Sequence, residues 1–252
     1  MNRPRVTHVR LRSAMWFALW LAPAGLNAQA PPAPQAPQTA KAAAPIDITG
    51  YWVAVVTEDW RYRMVTPAKG DYSSVPLSAE GKKTADAWDP AKDEAAGNQC
   101  KAYGAAAIMR VPGRVHITWQ DDQTLKVETD AGTQTRLFSF AGPKGQGGDW
   151  QGVSVASWDA VGGRGGTKGG SLKVVTTKMK AGYLRKNGVP YSANTVLTEY
   201  YDRTIEPNGD SWLIVQTIVE DPANLNQPFI TSTHFKKQAD ASGWAPSPCS
   251  AR

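Results

Sequence analysis

Cysteine and histidine are scarce in this chain of 252 residues, which contains two cysteines and three histidines. The two cysteines lack the Cys-x-x-Cys spacing of a structural zinc site. The sequence also contains no Gly-x-Ser-x-Gly elbow, no His-Glu-x-x-His motif and no glycine-rich dinucleotide fingerprint. We therefore predict neither a metal site nor a cofactor, and cofactor-dependent enzyme classes lose most of their support.

Positive charge is in excess only because of the N-terminal segment. The chain has 28 Lys and Arg against 22 Asp and Glu, and four of the arginines precede the apolar run at residues 14–26. A basic stretch followed by a short apolar run is typical of a signal peptide, predicted here over residues 1–28, with an uncleaved membrane anchor as the alternative. Without it the count is 24 against 22, so we predict no nucleic-acid partner and no stable membrane insertion.

Export determines how the rest of the chain is interpreted. Residues 29–45 are mostly Pro, Ala and Gln, which is typical of a linker, and residues 46–252 have the length of one domain. A periplasmic or secreted location is oxidising, so Cys100 and Cys249 are predicted to form a disulfide.

Short strands separated by turns dominate the sequence after residue 111. Stretches such as residues 115–119 (VHITW) and 124–130 (TLKVETD) alternate apolar with polar side chains, and about nine such strands are present. Sequential strands with short turns predict an all-β fold, a closed or nearly closed antiparallel meander barrel, rather than an open sandwich. About fifty residues separate the first strand from the second, which predicts a long insertion with a helix near residues 78–88.

The first strand opens with Gly50-Tyr51-Trp52. This resembles the Gly-x-Trp at the start of lipocalins and related calycin barrels, in which the Trp closes the barrel base. The chain more broadly resembles a group of secreted bacterial proteins of unassigned function, through segments such as residues 57–64 and 129–136. The first resemblance implies a barrel that carries a ligand, and the second implies no particular activity.

The sharpest local feature follows that strand, where residues 58–63 read EDWRYR. If strand alternation continues, the carboxylate of Glu58 lies beside aromatic rings, which would raise its pKa and suit proton transfer. We therefore identify Glu58 and Asp59 as candidate catalytic groups; the alternative is an ion-paired strand end. The candidate substrate-binding residues here are Trp60, Arg61, Tyr62 and Arg63.

Two further strands carry candidate functional residues. His116 and His234 each lie in the middle of a predicted strand and are candidates for proton transfer, although such histidines are more often surface or hydrogen-bonded residues. Glu199 and Tyr201 share one face of a later strand and are candidate substrate-binding residues. The alternative for this pair is cross-strand pairing on the outer surface.

Two functions fit these features. The first is a cofactor-independent lyase, isomerase or hydrolase that acts on a small apolar or aromatic compound. The second is a non-catalytic carrier or sensor that binds such a ligand in the barrel lumen. The sequence leaves the oligomeric state open.

Overall fold

A computed structural model describes residues 38–163 and 166–252. The predicted signal peptide at residues 1–28 lies outside the described residues, as does the first part of the predicted linker. The described part of the linker, residues 38–45, packs on the barrel. The indole N–H of Trp158 donates to the carbonyl of Ala40 at 2.8 Å, and the compact unit begins at residue 38 rather than at residue 46.

The barrel is built from the alternating segments found in the sequence. In the described part of the chain nine strands close into one sheet, and two short strands form a separate pair. The strands are β1 (Gly50–Val55), β2 (Arg114–Asp121), β3 (Thr124–Thr129), β4 (Gln134–Ser139), β5 (Val153–Gly163), β6 (Gly166–Thr177), β7 (Gly182–Tyr183), β8 (Pro190–Tyr191), β9 (Val196–Ile205), β10 (Ser211–Glu220) and β11 (Phe229–Lys237).

The first strand closes the barrel because it pairs on both sides, with β11 and with β2. The order around the barrel is β1-β11-β10-β9-β6-β5-β4-β3-β2, which confirms the predicted all-β barrel. One pairing departs from an antiparallel meander: β4 and β5 run parallel, with Phe138 opposite Ser154. A parallel pair needs a connection that returns to the starting end, and residues 140–152 provide it.

The interior of the barrel is packed with side chains. Trp52, Phe138, Tyr201 and Phe235 are at most 1% exposed, and they join one continuous apolar cluster. The inward positions recur at every second residue, as the period of a strand requires. The predicted lumen is therefore occupied by the protein's own core in this region.

One end of the barrel is covered by a cap, defined as residues 56–113 and 178–195. The ends of β1, β3, β6 and β10 and the starts of β2, β4, β5, β9 and β11 meet there. The first cap segment, which is the predicted insertion, contains α1 (Trp60–Arg63), α2 (Ala79–Asp86), α3 (Pro90–Ala95), a 3₁₀ turn (Lys101–Tyr103) and α4 (Ala105–Ile108). The second contains β7 and β8.

The predicted helix near residues 78–88 is confirmed as α2. Ser78 is its N-cap, and its side chain accepts a hydrogen bond from the backbone N–H of Gly81 at 3.0 Å. α2 ends at Asp86, and Pro90 occupies the first turn of α3, where a missing N–H is tolerated. Within the described residues, every helix is too short or too polar to cross a membrane.

The C-terminal tail returns from the opposite end of the barrel to the cap. Ser247 pairs with Ala131 beside the β3–β4 turn, and the predicted disulfide between Cys100 and Cys249 is confirmed, with Cα atoms 5.1 Å apart. The neighbouring Gly132 has φ 74°, and a Cβ there would lie 2.3 Å from the ring of Tyr103. This turn therefore requires glycine.

Candidate functional site

The first strand ends at Val55, and the chain then turns into the cap. Asp59 adopts a left-handed conformation, φ 48°, and the next residues form the single turn of α1. The predicted strand alternation through residues 58–63 is therefore wrong, because a left-handed residue interrupts the extended backbone. Trp60 does not share an inner face with Trp52; it is 65% exposed.

Glu58 is part of a small polar network at the edge of the cap. Its carboxylate forms an ion pair with Arg63, whose side chain is only 1% exposed. The hydroxyl of Thr57 donates to Glu58 Oε2 at 2.8 Å and lies 2.8 Å from His234 Nδ1. Because a hydroxyl has one proton to donate, this arrangement places a proton on Nδ1 of His234. Glu58 and His234 are thus brought together, with 3.5 Å between Oε2 and Nδ1.

Asp59 is paired with two arginines that the sequence analysis did not identify. Arg110, just after α4, donates to Asp59 Oδ2 at 2.9 Å, and Arg185, between β7 and β8, lies 3.8 Å from the same oxygen. Arg61 instead pairs with Asp71 at 2.6 Å, and its side chain is 65% exposed. Asp59 therefore pairs with arginines that are distant in sequence rather than with Arg61 or Arg63.

Arg63, Arg110 and Arg185 converge on a pocket of about 420 Å³ in the cap, which we call the cap pocket. The three residues are only 8%, 6% and 4% exposed. Each keeps one buried nitrogen without a hydrogen-bond partner among the described residues: Nη2 of Arg63, Nη1 of Arg110 and Nε of Arg185. Native proteins pair most buried donors, so an unpaired donor on each of three arginines that line one pocket requires an explanation.

The positions of these arginines are fixed by neighbouring elements. Arg185 donates to the carbonyl of Ser73 at 2.8 Å and to the hydroxyl of Ser74 at 2.9 Å, and its guanidinium lies 4.2 Å from the ring centroid of Tyr62. Arg63 Nε donates to the carbonyl of Arg110 at 2.9 Å. Rigid donors held in this way suit binding better than mobile surface arginines.

The electrostatics of the pocket reflect burial of like charges. The pKa of Arg185 is lowered to about 10, chiefly by burial and then by the neighbouring charge of Arg110, while Asp59 partly opposes both. Burial also lowers the pKa of Arg63, although the ion pair with Glu58 acts in the opposite direction. Both guanidinium groups remain charged at neutral pH, so the pocket is lined by positive charges that are poorly solvated.

His116 lies apart from this site. It stacks on Tyr51 on the outer wall, with ring centroids 3.9 Å apart, and its Nδ1 is 3.4 Å from Glu128. His116 pairs opposite Tyr51 and His234 opposite Val55, so the two histidines lie about 13 Å apart along β1 at the usual strand rise of about 3.3 Å. The structure brings His234, but not His116, to Glu58.

Glu199 and Tyr201 point into the barrel rather than onto its outer surface. Both are fully buried, and Arg136 of β4 donates to the two carboxylate oxygens of Glu199 at 2.9 and 2.6 Å. The hydroxyl of Tyr201 donates to the same carboxylate at 3.1 Å. Burial alone would lower the pKa of Arg136, but Glu199 outweighs it and raises that pKa. The pair therefore belongs to an internal network, in which Nε of Arg136 has no hydrogen-bond partner among the described residues.

A signal for Arg136 was present in the sequence. The segment at residues 133–140 (TQTRLFSF) alternates, so Arg136 shares a face with Phe138 and must point inward with it. Arg110 and Arg185 carry no such signal, because they lie in irregular segments of the cap where no period applies. Their role depends on contacts that only the folded chain shows.

A second and shallower cleft, of about 790 Å³, lies on the outer wall of β10 and β11. It is lined by Thr57, His234, Trp212 and Ile214, together with residues of the β9–β10 turn. The Thr57–His234 contact therefore faces this outer cleft, whereas the three arginines face the cap pocket. Glu58 links the two regions through its contacts with Arg63 and His234.

Replacing Glu58 with glutamine should lower the free energy of unfolding by about 1–3 kcal/mol, because the buried guanidinium of Arg63 loses its carboxylate. Chemical denaturation followed by circular dichroism measures this. Glu80→Gln is the matched control, since Glu80 and Lys83 are both well exposed and 3.8 Å apart, and it should change stability by less than about 0.5 kcal/mol. Equal effects of the two changes would contradict a structural role for the Glu58 ion pair.

Comparisons of the chain with protein-family models, with curated proteins and with solved structures found no match. Among the described residues, no three His, Cys, Asp or Glu side chains are grouped so that they could hold a metal ion. The functional argument therefore depends on the geometry of the cap pocket.

Proposed function

We propose that this protein binds a small molecule in the cap pocket, between the helical insertion, the β7–β8 segment and the C-terminal tail. One observation carries the proposal: a half-open pocket of about 420 Å³ is lined by three buried arginines, each of which has one nitrogen without a hydrogen-bond partner among the described residues. Small-molecule sites usually combine a concave apolar wall with a few fixed polar groups. This pocket is lined by both apolar side chains and buried charged ones.

The apolar part of the wall suits the predicted apolar or aromatic ligand. Tyr62, Val65, Tyr103, Val111 and Leu184 line the pocket. The site lies in the cap, however, and not in the packed interior of the barrel. The proposal therefore keeps the carrier or sensor function inferred from the sequence, but it places the ligand in the cap pocket rather than in the barrel lumen.

Binding can be tested without knowing the ligand. We expect small aromatic and aliphatic compounds, neutral and charged, to shift the methyl NMR resonances of Val65, Val111 and Leu184. The methyl resonances of Ile230, which is exposed on the outer wall, serve as the control and should stay unchanged. A library in which no compound, charged or neutral, moves the pocket methyls selectively would overturn the proposal.

A second candidate function is proton transfer, favoured by one observation. The Thr57 hydroxyl lies 2.8 Å from both Glu58 and His234, which places an acid and an imidazole side by side at the outer cleft. Such a site would serve a cofactor-independent lyase, isomerase or hydrolase. A fall in turnover of about 100-fold in Glu58→Gln, measured at a temperature where the variant is still folded, would favour this function over binding alone.

The proposed location is the periplasm or the medium. The disulfide between Cys100 and Cys249 supports an oxidising compartment, because such bonds rarely persist in a reducing cytosol.

A further inference from the structure

The charges buried around the cap pocket do not balance. Three arginines (Arg63, Arg110 and Arg185) face two carboxylates (Glu58 and Asp59), which leaves one net positive charge. The next acid, Asp71, is engaged by the exposed Arg61 at 2.6 Å. Lys186 and Arg252 also line the pocket, and Lys186 Nζ donates to the backbone oxygen of Arg252 at 3.3 Å. A buried positive charge is stabilised by a counterion, and one more anionic group would supply it.

The hydrogen bonds of the three arginines also indicate that an anionic partner is missing. Arg63 uses Nη1 for Glu58 and Nε for a backbone carbonyl, Arg110 uses Nη2 for Asp59, and Arg185 uses both terminal nitrogens for Ser73 and Ser74. One buried donor of each remains unpaired among the described residues. Guanidinium donors match the paired oxygens of a carboxylate in distance and direction, which makes this group the natural acceptor.

The side chains that line the cap pocket indicate what kind of molecule carries the anionic group. Val65, Val111 and Leu184 provide apolar surface, and Tyr62 and Tyr103 provide aromatic surface. A pocket of about 420 Å³ is at the small end of the range for ligand sites, so the apolar body is small.

From these observations we propose that the cap pocket binds a monoanionic carboxylic acid with a small apolar or aromatic body. Its carboxylate is held by the arginines Arg63, Arg110 and Arg185. The inference rests on the proposed function and adds to it the chemical class of the ligand. One net positive charge matches a carboxylate better than a phosphate, which carries close to two negative charges at neutral pH.

The test uses the full, disulfide-bonded protein and isothermal titration calorimetry at pH 7. The probes are benzoate, phenylacetate and 3-phenylpropionate, each compared with its neutral amide, which has nearly the same shape. We expect the best acid to bind at least about 10-fold more tightly than its amide, the scale of a hydrogen bond to a charged partner. Phenyl phosphate, as the dianion, should bind less tightly than the best acid.

Arginine variants test whether the pocket arginines hold the carboxylate. Arg110→Met should weaken binding of the acid by about 10-fold or more and leave the weak binding of the amide nearly unchanged. Arg61→Met is the matched control, because Arg61 is a neighbouring but exposed arginine outside the pocket lining, and it should alter neither affinity. The acid–amide comparison on the unmodified protein needs no variant, so the inference stays testable if Arg110→Met does not fold.

Each other outcome overturns the inference. Equal or tighter binding of the amide would show a pocket that binds small molecules without selecting a carboxylate, and the proposed function would stand. Tighter binding of phenyl phosphate would reject the carboxylate in favour of a dianion. If no acid binds but neutral compounds still shift the pocket methyl resonances, only the inference fails. If no compound shifts them, the inference and the proposed function both fail.

Discussion

Replacing Arg136 with methionine should destabilise the barrel by about 3–5 kcal/mol, the usual loss when one partner of a buried ion pair is removed. Glu199 is fully buried, and its two oxygens accept from Arg136 at 2.9 and 2.6 Å. Without the guanidinium the carboxylate must either remain charged in an apolar interior or take up a proton. Tyr201 and Thr176 also lose a partner at 3.5 and 3.2 Å.

Urea denaturation measures this loss, and a double variant separates its causes. Arg136→Met combined with Glu199→Leu removes both charges, and it should recover most of the lost stability, since apolar replacements of a buried pair are often neutral or better. A single variant that loses less than about 1 kcal/mol would show that Glu199 finds another partner or is solvated.

Replacing Cys100 and Cys249 with serine should lower the free energy of unfolding by about 4–5 kcal/mol, which is the second large effect expected. The bond closes a loop with a sequence separation of 149, and the chain-entropy model gives this magnitude for a loop of that length. The bond also attaches the tail that lines the cap pocket through Ser247 and Arg252. The variant should therefore bind pocket ligands more weakly as well.

Thermal and chemical denaturation with and without a reductant provide the measurement. The reductant should destabilise the unmodified protein to the level of the serine variant and leave the variant unchanged. If the serine variant were as stable as the oxidised protein, the predicted stabilisation by the disulfide would be wrong. The tail would then be held by its other contacts. The hydrogen bond from Ser247 N–H to the carbonyl of Asp130, at 2.9 Å, is the first of these contacts.

The barrel was predictable because its signals are local. Alternation in β2 and β3 places their apolar residues on the inner face, and Ser78 marks the start of α2 by capping the backbone N–H three residues later. The parallel β4–β5 pair was not predictable in this way, since the same alternation allows a hairpin or a crossover. Only the route of residues 140–152 decides between them.

The candidate site was predicted in part. Glu58, Asp59 and Arg63 were identified by composition, and the structure places them at the cap pocket or beside it, but their partners are distant in sequence. Arg110 and Arg185 lie 51 and 126 positions after Asp59 in segments without a period. The error at residues 58–63 had a local cause, because an aspartate can adopt the left-handed conformation that ends the extension of the strand.

The pairing of β1 with β11 has a consequence for the order in which the chain folds. Residues 50–55 find one partner in β2, but their other partner is completed only at Lys237, near the end of the chain. Contacts so far apart in sequence form slowly, because a long loop must close before they contribute. A chain that emerges N-terminus first during synthesis therefore exposes an open sheet edge until its last strand is made. During that interval it is most open to chaperones and to misassembly.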